Sequence, residues 1–173
     1  MNKEKLLYEY ENSKHALQSD NIIAITNRHL CNRPFMEQLE RVCKLHPHAI
    51  VLREKDMPEA EYLSLARDVI ALCKKYDVQC MLHSFINVAM ELEHPYIHLP
   101  LPILEAYVQK NVSGNISTGM SKSTDNYQQF FKVIGTSVHS VEDAIKAAHL
   151  GATYMKAGHI FATDCKKGFP PRG

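Results

Sequence analysis

Between Asn21 and Phe161, six short runs of apolar and β-branched residues alternate with stretches of helical period, and this alternation limits the fold more than any other feature. The runs are NIIAIT, AIVLRE, VQCMLH, YIHLPL, FKVIGTSVH and ATYMKAGHIF. Strands apolar on both faces need cover on both faces, and right-handed helical crossovers give it when the strands are parallel. The expected class is therefore α/β, closed either as a doubly wound sheet or as a (β/α)8 barrel. No G-x-G-x-x-G follows the first run, which removes the usual support for a dinucleotide fold.

The stretches between the runs read as helices. In FMEQLERVCKL, Phe35, Leu39, Val42 and Cys43 recur at helical spacing. Pro58 opens EAEYLSLARDVIALCKKY, where Leu63, Ala66, Ile70 and Cys73 mark the expected buried face. Ile86 to Leu92 and ILEAYVQK form shorter helices, and VEDAIKAAHLG forms one stopped by Gly151. Val112 to Asn126 is rich in Ser, Thr and Gly and has no period, so it reads as a loop. Leu6, Leu7 and Tyr10 share one face of an amphipathic segment, Leu6 to Leu17. The organisation expected is a helical extension over 1–20 and one barrel-type domain over 21–173.

The formal net charge is +1, with both signs interspersed along the chain, so no electrostatic footprint for nucleic acid or an anionic membrane exists. A small anion remains a suitable partner. The five cysteines, Cys31, Cys43, Cys73, Cys80 and Cys165, include no C-x-x-C pair and read as reduced thiols of a cytoplasmic protein. No apolar run is long enough to cross a bilayer, and the first residues lack the apolar centre of an export signal.

Polar residues collect where the runs end: Thr26 and Asn27, Arg53 and Lys55, His83 and Ser84, Ser137 and His139, and His159. In a barrel the C-terminal strand ends build the active site. On a strand continuing through Glu54, Arg53 and Lys55 would point the same way and present two cations to a phosphate. The competing reading pairs them internally with Glu54 and Asp56 as a surface charge cluster. His139 sits where an acid-base group could act, since an imidazole titrates near neutrality, or it is an ordinary histidine beside a helix cap. Thr163, Lys166 and Lys167 make either an anion cradle or a solvated basic turn, and the thiol of Cys165 beside them has no evident partner base.

Taken in order, AITNR, VLREKDM, IHLPLP, IGTSVHSVEDAIKAAHLGA and GHIFATDCKKG resemble the thiamin-phosphate synthase superfamily, and within it the TenI-type thiazole tautomerases. The resemblance covers Ile22 to Gly173 and implies a (β/α)8 barrel. It implies a prototropic shift that aromatises a carboxythiazole phosphate, with no cofactor and no metal. His139 matches the family's catalytic histidine, and Arg53, Lys55 and Lys166 would hold the substrate's anionic groups. His83, Ser137, His159 and Thr163 complete the substrate-binding set. The synthase branch is the alternative: its pattern has Asn-Asp after the third strand and an Asp after the fourth for magnesium and pyrophosphate. Here those places hold His83-Ser84 and LPLPI, and Gly158-His159 stands where the synthase pattern has Gly-Pro. The Arg53-x-Lys55-Asp56 stretch is closer to the synthase.

A barrel of this family has two more strand-helix units than the six read here, so the expected architecture is a (β/α)8 type truncated after its sixth strand. Three outcomes follow: an inactive remnant with a binding or regulatory role, a homo-oligomer in which other copies cover the opening, or a fragment of a longer enzyme.

Overall fold

The computed structural model describes residues 22–116 and 130–158. The amphipathic segment expected over 6–17 lies outside them. The strands are β1 (Ile23–Ile25), β2 (Ala49–Leu52), β3 (Gln79–His83), β4 (Tyr96–Pro100), β5 (Val133–Val138) and β6 (Tyr154–Ala157). The helices are α1 (Phe35–Cys43), α2 (Glu59–Lys75), α3 (Ile86–Glu91), α4 (Leu101–Ile116) and α5 (Val141–His149). Strand order in the sheet is the order of the chain, β1-β2-β3-β4-β5-β6, and the pairs β1–β2, β3–β4, β4–β5 and β5–β6 are parallel. This is the α/β alternation expected, with the strand order of a (β/α)8 barrel through its sixth strand. The chain divides into two compact units, 1–81 and 82–173.

In the first unit, all four residues of β2 are buried, as a strand covered on both faces requires. The strand stops at Leu52, so the expected continuation through Glu54 does not form, and Arg53 to Asp56 belong to the loop that follows. Helix α1 starts directly after Pro34 and buries Leu39 and Cys43. Helix α2 starts after Pro58, carries Glu59 and Glu61 in its first turn and Lys74 and Lys75 in its last, and so opposes its macrodipole at both ends. Its buried face is Tyr62, Ala66, Val69 and Cys73. Leu63 and Ile70, expected on that face, are half-buried. The rotation has a cause: the Tyr62 hydroxyl donates to the Leu52 carbonyl at 2.6 Å, drawing the large ring onto the end of β2. Glu40 of α1 accepts from Tyr76, just past α2, and from Lys75 at 3.3 Å. Those donors, Tyr76 first, hold its carboxyl below the usual range.

In the second unit the core is Leu82, Val88, Ala89, Ile97, Leu99, Leu104, Phe131, Ile134, Val138 and Ala147. The ring of Phe131 meets Tyr107 and Phe130 edge-on, at 5.6 and 4.9 Å between centroids. Helix α4 runs to Ile116, past Val112 where a loop was expected, because nothing in that Ser- and Gly-containing stretch breaks a helix already about three turns long. Helix α5 is capped by Ser140, whose hydroxyl accepts from the Asp143 amide at 3.0 Å, while Asp143 accepts from the His139 amide at 3.0 Å. It ends at Gly151, which takes φ 84°, the left-handed conformation a helix stop requires.

Candidate functional site

The loops after β1 and β2 are built around a buried carboxylate. Glu54 is 2% exposed and accepts from the Thr26 hydroxyl at 2.6 Å, from the Arg28 amide at 3.2 Å to each oxygen, and from Arg28 Nη1 at 3.0 Å. The same guanidinium grips Asp56 with two bonds, at 2.8 and 2.6 Å, and His29 Nε2 reaches Asp56 at 2.8 Å. Arg28 first, then His29, hold the Asp56 carboxyl well below the usual range. Neither sequence reading anticipated this arrangement. Glu54 and Asp56 are indeed paired, but with residues of the preceding loop rather than with Arg53 and Lys55.

The consequence is electrostatic. With both nearby acids engaged by Arg28, neither Arg53 nor Lys55 has an ion pair among the described residues. Partial desolvation, then the neighbouring Arg53 charge, lowers the Lys55 pKa. Two like charges flanking Glu54, neither with an ion pair among the described residues, leave a repulsion that a bound anion would relieve. A cavity of about 400 Å³ in the same unit, lined by Ile25, Leu30, Phe35, Leu39 and others between β1 and α1, does not include either cation.

In the second unit, hydroxyls and imidazoles line up across the strands. His83 on β3 pairs in register with His98 on β4, His98 with Gly135 on β5, and Gly135 with Tyr154 on β6. The two imidazoles stack with centroids 5.4 Å apart and planes 19° from parallel. His83 Nδ1 lies 2.7 Å from the Ser84 hydroxyl, and Ser84 adopts φ 71°. His46, Asp77 and Glu93, the other non-glycine residues with positive φ among those described, follow helix ends, where that geometry is a normal cap. Ser84 follows a strand instead, and strain in such a place marks functional sites. Its amide donates to the His98 carbonyl, which holds the turn in place.

Ser137 and His139 lie two residues apart at the end of β5. Ser137 Oγ is 3.0 Å from His98 Nε2. His139 is exposed, and its Nδ1 binds the Gly158 carbonyl. A carbonyl only accepts, so neutral His139 carries its proton on Nδ1, and its Nε2 lone pair has no partner among the described residues, as a base needs. Thus His83, Ser137 and His139 stand at or just past strand ends within one unit, and Arg53 and Lys55 in the loop after β2 in the other. His159, Thr163 and Lys166 lie outside the described residues.

Similarity to known proteins now bears on these residues. The family described as thiamine monophosphate synthase, TMP-TENI, matches residues 22–173. The chain belongs to that family. It is 30% identical over 152 residues to "Putative thiamine-phosphate synthase 2" of Aquifex aeolicus, covering 88% of this chain and 73% of that protein. It is 34% identical over 121 residues to the thiamine-phosphate synthase of Halalkalibacterium halodurans, covering 68% of this chain and 49% of that one. The fold is that of a thiamine phosphate pyrophosphorylase from Pyrococcus furiosus, with a TM-score of 0.62 at 23% identity over 84% of this chain and 63% of the other. The chain thus spans between half and three quarters of the length of these relatives. The superfamily read from the sequence is the one found, and the relatives bear the synthase name rather than that of the tautomerase branch.

The synthase pattern implies magnesium, and the described residues do not fit it. Magnesium takes hard oxygen ligands. The end of β3 offers His83 and Ser84, Glu54 and Asp56 are committed to Arg28, and no group of three or more His, Cys, Asp or Glu side chains among the described residues could hold a metal ion. No helix among them is long and apolar enough to cross a membrane.

Proposed function

We propose that this chain acts on a phosphorylated thiazole in the assembly of thiamin phosphate. The observation that carries the reading is the Arg53–Lys55 pair, two cations flanking Glu54 in the loop after β2, without an acidic partner among the described residues, where a phosphate or pyrophosphate would dock. The names of the relatives support the synthase reaction, coupling of a pyrimidine to the thiazole phosphate with release of pyrophosphate. In that reaction Arg53 and Lys55 hold the anionic groups, and Ser137 offers a hydrogen bond at the end of β5.

A second reading, the tautomerase, is favoured by His139. Aromatisation of a carboxythiazole phosphate needs one base that removes a ring proton and returns it to the exocyclic carbon. With Nδ1 engaged by Gly158, His139 Nε2 meets that requirement.

One set of assays separates the two. The chain is supplied with thiazole phosphate and the pyrimidine pyrophosphate while pyrophosphate is measured, and separately with the non-aromatic carboxythiazole phosphate while ultraviolet absorbance is followed. The synthase reading expects pyrophosphate release. The tautomerase reading expects aromatisation that His139→Ala slows by about 10²–10⁴-fold. In parallel, inorganic pyrophosphate binding should weaken at least tenfold in Arg53→Ala and in Lys55→Ala. Folded protein that yields neither product, together with unchanged pyrophosphate binding in both variants, would sink the proposal.

A further inference from the structure

Ser137 has a hydroxyl whose hydrogen can point two ways, and the structure contains a device that fixes the direction. Both ring nitrogens of His98 are engaged: Nδ1 lies 2.8 Å from the Tyr154 hydroxyl and Nε2 lies 3.0 Å from Ser137 Oγ. His98 is buried, stacked on His83, and tilted against the Tyr154 ring at 5.6 Å between centroids. The tyrosine reaches across an intervening strand to do this. It can because residue 135, which stands between His98 and Tyr154 in register, is glycine. A Cβ there would run into the Tyr154 ring. The absent side chain is the channel through which the phenol meets the imidazole.

The chemistry then sets a polarity. A phenolic O–H is a stronger donor than an alkyl O–H, and phenolic oxygen is the weaker acceptor of the two. Burial pushes the Tyr154 pKa up to about 12, which keeps it protonated at neutral pH. The favoured pattern has Tyr154 donating to Nδ1, the proton of neutral His98 on Nε2, and Nε2–H donating to Ser137 Oγ. Ser137 Oγ then receives a hydrogen bond from behind, and its own proton is directed elsewhere.

We propose that Tyr154 is a positioning residue: acting through His98 across the gap at Gly135, it fixes Ser137 as a hydrogen-bond donor to an acceptor atom of the bound substrate. Neither Tyr154 nor His98 touches substrate in this scheme. The substrate class rests on the function proposed above; the tautomer of His98 does not.

The experiment therefore has two arms. Nitrogen-15 spectra of the imidazoles, with His98 assigned by its loss in His98→Gln, should show the Nε2–H tautomer in the unmodified chain. Tyr154→Phe keeps the ring and removes only the hydroxyl, and it should release His98 into a mixture of tautomers. Gly135→Ala, which leaves every hydroxyl in place, should give the same change by displacing the ring. In the kinetic arm, Tyr154→Phe should lower kcat about tenfold with KM within about twofold, and Ser137→Ala should lower it about 10²-fold. Combined, Tyr154→Phe should add nothing to Ser137→Ala, because one acts through the other. An Nδ1–H tautomer in the unmodified chain, or an unchanged tautomer in Tyr154→Phe, overturns the proposal whatever the substrate proves to be. Additive kinetic losses overturn the link to Ser137. If neither substrate is turned over, the function reading fails, and the spectra alone decide whether the polarity exists.

Discussion

Replacing Glu54 by alanine should be among the most damaging single changes in the first unit. The carboxylate is 2% exposed and receives three donors: the Thr26 hydroxyl, the Arg28 amide and Arg28 Nη1. Hydrogen bonds to a charged group contribute about 1.5–3 kcal/mol each, and breaking a buried pair from one side costs about 3–5 kcal/mol. Two features reduce that figure. Arg28 keeps its two bonds to Asp56 and has a side chain 27% exposed, so it is not stranded as a buried charge. Thr26 Oγ1 also keeps a partner, since it accepts from the Arg53 amide at 2.9 Å. We expect Glu54→Ala to cost about 3 kcal/mol, at the lower end of that range for a buried pair. For a chain of this size that is a fall of about 6–12 °C in Tm. Glu54→Gln, which keeps an acceptor for Thr26 and the Arg28 amide, should lose about half as much. Asp56→Ala, at the exposed rim, should lose far less than either. Urea unfolding followed by far-ultraviolet circular dichroism, with the slope checked for constancy, measures all three. A Glu54→Ala cost below about 1 kcal/mol, or an Asp56→Ala cost equal to it, would refute the assignment of the carboxylate as the clamp of the two loops.

Other expectations follow from single groups. Thr136 Oγ1 is buried with no hydrogen-bond partner among the described residues, so the nearly isosteric Thr136→Val should raise stability by about 1 kcal/mol in the same unfolding assay; a loss would mean that the hydroxyl has a partner. Asp56 and Glu40 have folded pKa values below their unfolded ones, so the stability they add is present above about pH 4 and drains away as pH falls below that value. Melting temperature measured between pH 6 and 2 should therefore fall on the acid side, less steeply in Asp56→Asn; an identical slope in the variant would count against the Arg28 grip. Burial pushes Cys43 up to about 12, and Cys73 is raised by its hydrogen bond with Cys80 and by burial. Mass-mapped labelling of the folded chain with a thiol reagent should accordingly modify the half-buried Cys31 well before Cys43, Cys73 or Cys80, and equal rates would show that this core opens readily.

What could be read from the sequence was whatever lies close together in it. The strands announced themselves as unbroken apolar runs, and the helix start at Glu59 followed from Pro58 before it. The end of β2 was misplaced because Arg53 and Glu54 continue the run without a turn residue, and only the Thr26–Glu54 contact shows that the chain has already left the sheet. The buried face of α2 was misjudged by one position because hydropathy ranks Leu63 above Tyr62, while the hydroxyl of Tyr62 has a carbonyl to reach. The candidate site suffered most from distance. Arg28 and Glu54 are 26 residues apart, His98 and Tyr154 are 56 apart, and no local pattern links either pair. Gly135 and Ser84 were readable as residues but not as features, since one matters through the register of its strand and the other through the sign of a backbone angle.

Because strand order in the sheet repeats strand order in the chain, each strand finds its neighbour in the one made just before it. A ribosome adds roughly 5–20 residues per second, so a finished strand waits only seconds for the next to emerge. Each closure spans one strand-helix step, which keeps the loop entropy small. Among the six described strands, none has to be held open for a late partner, as a Greek key would demand. A chain with this topology can condense from its first strand onward while the rest is still being synthesised.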